Sequence, residues 1–269
     1  KCDTLLSKGS RTEGASFFGR RHVMFGKNTR TNQIASLQAI IDEFRRTVFF
    51  GGAGVSTESG IPDFRSANGL FRDGKTLSPE KALSTETLET DPERFFEFYR
   101  GHLVYPDAKP NPAHRKLAEL EQAGRLLGVI TQNIDGLHQM AGSREVVELH
   151  GSLSRNLCMQ CGMQYGAEFV LRSEGVPRCT CGGMVRPDIV LYGEQLEPFT
   201  LRKARRMVMD AEVLIVGGTS LVVYPAAGLL RYFEGKRLVL INRDPTPHDD
   251  AAHLIIRESI GDVLGALRV

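Results

Sequence analysis

What most limits the fold of this 269-residue chain is a repeated pairing of a short apolar run with a small or polar cluster. Residues 47–50 lead into Gly51-Gly52-Ala53-Gly54, residues 126–131 into Gln132-Asn133-Ile134-Asp135, and residues 146–149 into His150-Gly151. Residues 213–216 lead into Gly217-Gly218-Thr219-Ser220, residues 238–241 into Asn242-Arg243-Asp244, and residues 189–192 form a further run. Runs this short and rich in Val, Ile and Leu suit strands buried on both faces, and their alternation with helices predicts a parallel sheet. In such a sheet ligands bind beyond the carboxyl ends of the strands, where these small and polar residues would gather.

The intervening segments carry helix signals. Ile34, Leu37, Ile40, Ile41 and Phe44 fall at helical spacing ahead of the first run. Asp91 before Pro92 and Asn111 before Pro112 each join a polar N-cap to proline at the first helical position, and the second helix should end near Gly124. The alternation fails between Gly151 and Pro187, a stretch that holds Cys158, Cys161, Cys179 and Cys181. Their pattern, C-x2-C-x17-C-x-C with Gly162, Gly182 and Gly183 beside it, suits a closed structural zinc site, with a redox dithiol as the alternative. A metal-held insertion in the sheet protein follows; Cys2 lies far from it.

Composition narrows the class. A chain with 41% hydrophobic and 25% charged residues is globular rather than disordered or fibrous. Five cysteines, four of them paired, are too few for a disulfide scaffold and suit a reducing, cytoplasmic compartment. The uncharged stretch 213–230 has the length of a membrane span, but Gly217, Gly218, Thr219, Ser220 and Pro225 break it into strand, loop and helix start. No basic segment followed by an apolar one opens the chain, so no secretory signal is expected. The net charge of +2 hides an asymmetry: residues 1–33 hold seven basic and two acidic groups, which leaves 27 basic and 30 acidic groups in residues 34–269. With an acidic body and no Trp, a nucleic-acid-binding zinc module is the weaker reading.

Gly52-Ala53-Gly54-Val55-Ser56-Thr57 meets G-x-G-x-x-G at two positions, with Thr57 in place of the third glycine. Such a loop after a strand lets the backbone approach a pyrophosphate, and a plain tight turn is its alternative use. A dehydrogenase would also carry an acidic ribose ligand about 20 residues on. Asp63 comes too early and follows Pro62, so the loop favours a dinucleotide without hydride transfer. His150, at the mouth of the sheet, has the place and the chemistry of a general base near neutral pH, although a lone histidine can also be structural. His22, His114 and His248 have no comparable setting.

Together these residues resemble the sirtuins, NAD-dependent protein deacylases, of the bacterial type. The resemblance runs over about residues 34–269, through the glycine loop to Gly60-Ile61-Pro62-Asp63-Phe64-Arg65, Thr131 to His138, Leu149-His150-Gly151, the cysteine pairs, Arg186 to Val190, Gly218-Thr219-Ser220-Leu221 and Ile241-Asn242. It implies an α/β fold: a Rossmann-like parallel sheet (about 34–65, 108–151 and 188–269) with a smaller inserted domain, helical over 66–107 and a zinc ribbon over 152–187. Residues 1–33 fall outside it and read as a flexible basic arm. It further implies NAD as co-substrate, held by Gly52, Ala53, Gly54, Thr57, Phe64 and Arg65 on the phosphate and nicotinamide side and by Gln132, Asn133, Ile134 and Asp135 around the ribose and carboxamide. Gly218, Thr219, Ser220, Asn242 and Ile260 would hold the adenosine half, and Val190, Tyr192 and Val222 would take an acyl-lysine peptide as an added strand. Zn2+ would sit on Cys158, Cys161, Cys179 and Cys181.

The implied reaction has the acyl oxygen displace nicotinamide, assisted by Asn133 in the pocket, while His150 draws a proton from the ribose hydroxyls. The products are free lysine, nicotinamide and 2′-O-acyl-ADP-ribose. Gly51 replaces a threonine common in the family, the second cysteine pair is C-x-C, and Tyr99 is followed three positions on by His102 where desuccinylases carry arginine. Without that arginine, neutral acyl groups are expected. Mono-ADP-ribosyl transfer by the same cleft is the closest alternative. Acyl-lysine proteins or peptides are the expected partners, with no nucleic acid or membrane required; the oligomeric state is not legible.

Overall fold

The computed structural model describes residues 29–63 and 78–269. In chain order the elements are α1 (Arg30–Glu43), β1 (Thr47–Gly51), α2 (Pro79–Ala82), α3 (Thr85–Thr90), α4 (Pro92–His102), α5 (Pro112–Gln122), β2 (Leu126–Thr131), α6 (Leu137–Met140) and β3 (Val146–Glu148). There follow β4 (Gly151–Cys158), β5 (Gln164–Gly166), α7 (Ala167–Arg172), β6 (Val185–Ile189), α8 (Pro198–Asp210), β7 (Val213–Gly217), β8 (Arg237–Ile241), β9 (Leu254–Ile256) and α9 (Ile260–Gly265). Short 3-10 turns cover Ala53–Val55, Thr57–Ser59, Ala226–Tyr232 and Asp249–Ala251.

Six strands form one sheet in the order β3-β2-β1-β7-β8-β9, every pair parallel. The central strands are buried on both faces, and strand alternation sends their side chains to two separate cores. Phe49, Val129, Ile215 and Val239 meet α1, α5 and α9 on one face through Leu37, Ile41, Leu117 and Val263. Val48, Phe50, Ile130, Leu214 and Leu240 meet α8 and the Ala226–Tyr232 turn on the other, through Val208 and Leu229. Burying a Leu, Ile or Phe side chain contributes about 1.5–3 kcal/mol, so these two layers fix the strand order that brings the polar strand ends together.

A second, antiparallel sheet has the order β5-β4-β6. It shares a third apolar cluster with α3 and α4, in which Leu88, Phe95, Phe96 and Tyr99 surround Cys158, Cys179, Val170 and Val185. Asp91 accepts the Arg94 N–H and Asn111 accepts those of Ala113 and His114, so both caps form as the sequence predicts, and the second helix ends just before Gly124, whose φ is +66°.

The structure differs from expectation at three places. Residues 189–192 are not a strand of the parallel sheet: Ile189 closes β6, and Val190 and Tyr192 donate their N–H groups to the carbonyls of His150 and Leu83. Ile189 and Leu191 are buried in the third cluster, so the run is apolar for a different core. Second, β9 is a strand the run-based reading lacks, three residues long and parallel to β8. Third, α1 begins at Arg30, so residues 30–33 belong to a helix and not to the arm; residues 1–28 of the arm lie outside the described residues.

Candidate active site

The carboxyl ends of β1, β2, β7 and β8 open onto one cleft of about 470 Å³, whose far wall is formed by the segment after β6 and by the end of α4. The loops after β1 and β7 meet backbone to backbone. Gly54 N–H donates to Gly218 O at 2.8 Å and Gly52 N–H to Gly217 O at 3.3 Å. A Cβ on Gly54 would stand 2.8 Å from Gly218 Cα, and Gly218, at φ +59°, would put its own 2.4 Å from Val55 N. The glycines therefore serve loop-on-loop packing as well as leaving the cleft floor free of side chains. Gly51 has its own reason: a Cβ there would come 2.7 Å from the Phe49 ring.

Behind this floor Asn111, itself buried, does two tasks. Its Oδ1 caps α5 while its Nδ2 donates to Val55 O at 2.7 Å and Ser59 Oγ at 3.0 Å, which clamps the far side of the glycine loop. Thr57 Oγ1 donates back to Gly54 O at 3.0 Å, and Glu58 Oε1 accepts the N–H of Gly261 at the start of α9.

After β2 the side chains form a polar chain. Asn133 Nδ2 donates to Ser56 Oγ at 3.0 Å, and Ser56 Oγ donates to Asp135 Oδ2 at 2.6 Å. The other carboxylate oxygen of Asp135 accepts the Leu137 N–H at 2.9 Å. Burial pushes the Asp135 carboxyl up, and the Ser56 hydroxyl bond opposes this. Gln132 Nε2 reaches Thr219 Oγ1 at 3.1 Å and ties the β2 loop to the β7 loop.

His150 Nδ1 lies 2.9 Å from the Gln132 carbonyl oxygen. A carbonyl only accepts, so the ring's proton sits on Nδ1 and Nε2 keeps its lone pair. Burial lowers the ring's proton affinity below that of ordinary histidine, against the opposing pull of the same carbonyl bond, so the imidazole is neutral at pH 7. The arrangement supplies a base that can take a proton from a group bound in the cleft.

Of the site residues read from the sequence, the cleft brings together Gly52, Ala53 and Gly54; Gln132, Asn133, Ile134, Asp135 and His150; Gly218, Thr219, Ser220 and Asn242; and Val190 with Tyr192. Thr57 and Val222 stand beside the cleft without lining it, and the neighbours Val223 and Tyr224 line it instead. Ile260 is buried in the core beneath Gly217 rather than facing the cleft. Phe64 and Arg65 lie outside the described residues. Ser56, Asn111 and Glu194 are structural members the reading did not assign. Glu194, pulled down in spite of partial burial by the Arg186 guanidinium and the Leu191 N–H, fixes the segment that forms the far wall. Its signal was Arg186 beside Pro187 in the quoted motif, eight residues from an acid. His102 also lines the cleft, its Nδ1 3.2 Å from Phe98 O and its ring stacked on Phe98.

The four cysteines converge at the end of the small sheet. Their Sγ atoms lie within 4.8 Å of one another, with Cys158–Cys181 at 3.5 Å and Cys161–Cys179 at 3.6 Å. Four thiolates about 2.3 Å from a tetrahedral zinc ion stand about 3.8 Å apart, so the set fits that metal. The Cys181 N–H and the Tyr165 hydroxyl, 3.0 Å away, pull the Cys179 thiol down, while hydrogen bonds from the other sulfurs push Cys161 and Cys181 up. All four positions are occupied by protein, which suits a structural rather than a catalytic metal.

A parallel Rossmann-like sheet, a glycine-lined cleft at its strand ends and a four-cysteine ribbon on a second sheet define a dinucleotide-using enzyme with a structural metal site. The Sir2 family profile matches residues 52–225, and the chain belongs to the Sir2 family, the sirtuins. It is 56% identical over 238 residues to an NAD-dependent protein deacetylase of Clostridium perfringens, covering 87% of this chain and 98% of that protein. A protein of the same name from Cutibacterium acnes is 55% identical, over 85% of this chain and 94% of its own. Among solved structures, a Sir2 variant with a deacetylated p53 peptide and 3′-O-acetyl ADP ribose is similar at TM-score 0.80 and 39% identity, covering 86% of this chain and 96% of that one. A complex of Sir2, p53 peptide and NAD+ is similar at TM-score 0.76, 39% identity, and 86% and 95% coverage.

Proposed function

We propose that this chain is an NAD-dependent protein-lysine deacetylase whose reaction runs in the cleft, with His150 as general base. The observation that carries the assignment of the base is the bond from His150 Nδ1 to the Gln132 carbonyl, because it leaves Nε2 as a lone-pair acceptor on a neutral ring beside the cleft. The donor set suits a dinucleotide: glycine backbone for phosphates, amides and a carboxylate for ribose and carboxamide, and Ser220 and Asn242 for a second ribose. The chemistry supplied by bound NAD is a nicotinamide leaving group at C1′ of a ribose, open to attack by an acyl oxygen.

The residues then divide the work. Gly52, Ala53 and Gly54 bring backbone to the phosphates, Thr57, Phe64 and Arg65 serve the phosphate and nicotinamide side as the family resemblance implies, and Gly218, Thr219 and Ser220 take the adenosine half from β7. Asp135, held by Ser56, accepts from the carboxamide, and Asn133, fixed on Ser56, orients the ribose. His150 takes the ribose hydroxyl proton. Val190 and Tyr192 border the groove for an extended acyl-lysine peptide. His102 stands where an arginine would grip an acidic acyl group, so neutral groups are preferred. Zn2+ on the four cysteines ties the small sheet together. The substrates are acyl-lysine proteins or peptides, and the reaction requires neither nucleic acid nor a membrane. No helix among the described residues is long and apolar enough to cross a membrane. Four thiolates reserved for a metal favour the reducing cytoplasm.

Incubation with NAD and a panel of acyl-lysine peptides, read by mass spectrometry, tests this reading. Acetyl and other neutral acyl groups are removed, and succinyl is removed much more slowly. No peptide losing its acyl group would refute deacylation, and transfer of label from NAD onto protein would establish the ADP-ribosyl transferase in its place.

A further inference from the structure

Beneath the site lie two histidines that the chemistry above does not use. His114 on α5 and His138 on α6 are fully buried, with ring centroids 4.7 Å apart. The Asn111 backbone N–H donates to His114 Nδ1 at 3.3 Å, which puts the neutral ring's proton on Nε2. His114 Nε2 and both ring nitrogens of His138 have no hydrogen-bond partner among the described residues. Burial pushes His114 down to about 4 and His138 to about 3, so both rings are neutral at the pH where His150 works. Polar atoms buried in this way are costly, and apolar rings would fill the same space at lower cost. Their presence calls for a task.

The contacts around them close a circuit. His114 accepts the Asn111 N–H, and Asn111 Nδ2 holds Val55 O and Ser59 Oγ on either side of Ser56. Ser56 donates to Asp135, whose other oxygen accepts the N–H of Leu137, the residue before His138. The last link, from α6 back to α5, is the contact between the two rings. His138 also faces Phe49, whose ring lies under Gly51 and Gly217.

We propose that His114 and His138 are a positioning pair for the cofactor end of the cleft: ring against ring, they hold α6 to α5 and so keep Asn111 on the glycine loop and Asp135 on Ser56. The pair touches neither substrate nor cofactor and acts through these two residues. The proposal rests on the reading of the cleft as an NAD site.

Calorimetric NAD binding, the KM values for NAD and acetyl peptide, and thermal unfolding would be measured for the full chain with zinc and for His114→Leu, His138→Leu and the double variant, which remove the facing rings. Each single change is expected to raise the NAD Kd and KM about tenfold while the peptide KM stays within twofold. The double variant should lie within about threefold of the weaker single one, because the rings act as a unit. His114→Gln, whose amide oxygen can still accept the Asn111 N–H but which leaves no ring to face His138, should weaken NAD at least fivefold. If the leucine variants do not fold, His138→Asn, which also breaks the ring contact but with a smaller polar group, is expected to weaken NAD at least fivefold. Folded variants that bind NAD like the parent, losses that multiply in the double variant, or a lowered Tm with an unchanged NAD Kd would each overturn the proposal. A parent that binds NAD but deacetylates nothing would instead refute the functional reading and leave the pair to be judged by binding alone.

Discussion

Asn111 offers the most direct way to separate the stability of a helix from the shape of the cleft floor. Its Oδ1 accepts the Ala113 and His114 N–H groups at 2.9 and 3.4 Å, while its Nδ2 donates to Val55 O and Ser59 Oγ. Asn111→Ala removes both functions. Loss of the cap costs about 1 kcal/mol, within a range of roughly 0.5–2, and stranding the buried Val55 carbonyl costs roughly 1–3 kcal/mol more. The total is about 1.5–5 kcal/mol. Asn111→Ser keeps a good cap and loses only the clamp, so it should cost roughly 1–3 kcal/mol. Urea unfolding at saturating zinc gives both values, and NAD titration of the same samples reads the cleft. The two variants should differ in stability by about the cap alone yet weaken NAD equally, since both release the loop at Val55 and Ser59. Parental NAD affinity in both folded variants, or stability within about 0.5 kcal/mol of the parent for the alanine change, would refute the clamp.

Three further outcomes follow from the site and its surroundings. His150→Ala should lower kcat/KM by about 10²–10⁴ while NAD binding changes little. Because burial lowers the His150 proton affinity, the acid limb of the parent's kcat/KM profile should have its midpoint below pH 6.5; a midpoint above 7 would contradict the assignment. His114 and His138 are depressed to about 4 and 3, so as pH falls below 6.5 the unfolded chain takes up protons that the folded one refuses, and stability falls. Each histidine contributes roughly 1–1.5 kcal/mol per pH unit between about pH 6 and the folded value, and a folded His138→Phe variant should show a correspondingly shallower decline in acid. Metal analysis should find about one zinc per chain, and Cys158→Ala should unfold the small sheet, seen as lost protection in hydrogen exchange; a metal-free protein with that sheet still protected would count against the zinc site.

The parallel sheet is legible in the sequence because each central strand is a largely apolar run followed by small or polar residues, a pattern produced by burial on both faces. The segment at 189–192 shows the limit of that signal: Ile189 and Leu191 are as apolar as a core strand, and nothing local says that their core belongs to the small sheet. β9 escapes for the opposite reason, since three residues carry no period. Within the site, residues that follow strands are found readily, but links across the fold are not. Ser56 and Asp135 are 79 positions apart and Asn111 and Val55 are 56 apart, so their bonds exist only once the sheet is assembled. Asn111 is recognised as a cap because that signal is local, and its second task is invisible for the same reason. Ile260 and Val222 show that a motif position fixes the backbone of a segment more securely than the direction of its side chain.

The claim at the centre of the account is that one cleft couples NAD cleavage to deacylation through His150. Nicotinamide, deacetylated peptide and O-acetyl-ADP-ribose should be counted together over the course of a single incubation with an acetyl-lysine peptide, for the parent and for His150→Ala. The account predicts that the parent forms the three in equal amounts and that the variant loses peptide deacetylation while remaining folded and able to bind NAD. Nicotinamide released without peptide deacetylation, or undiminished activity in His150→Ala, would contradict it.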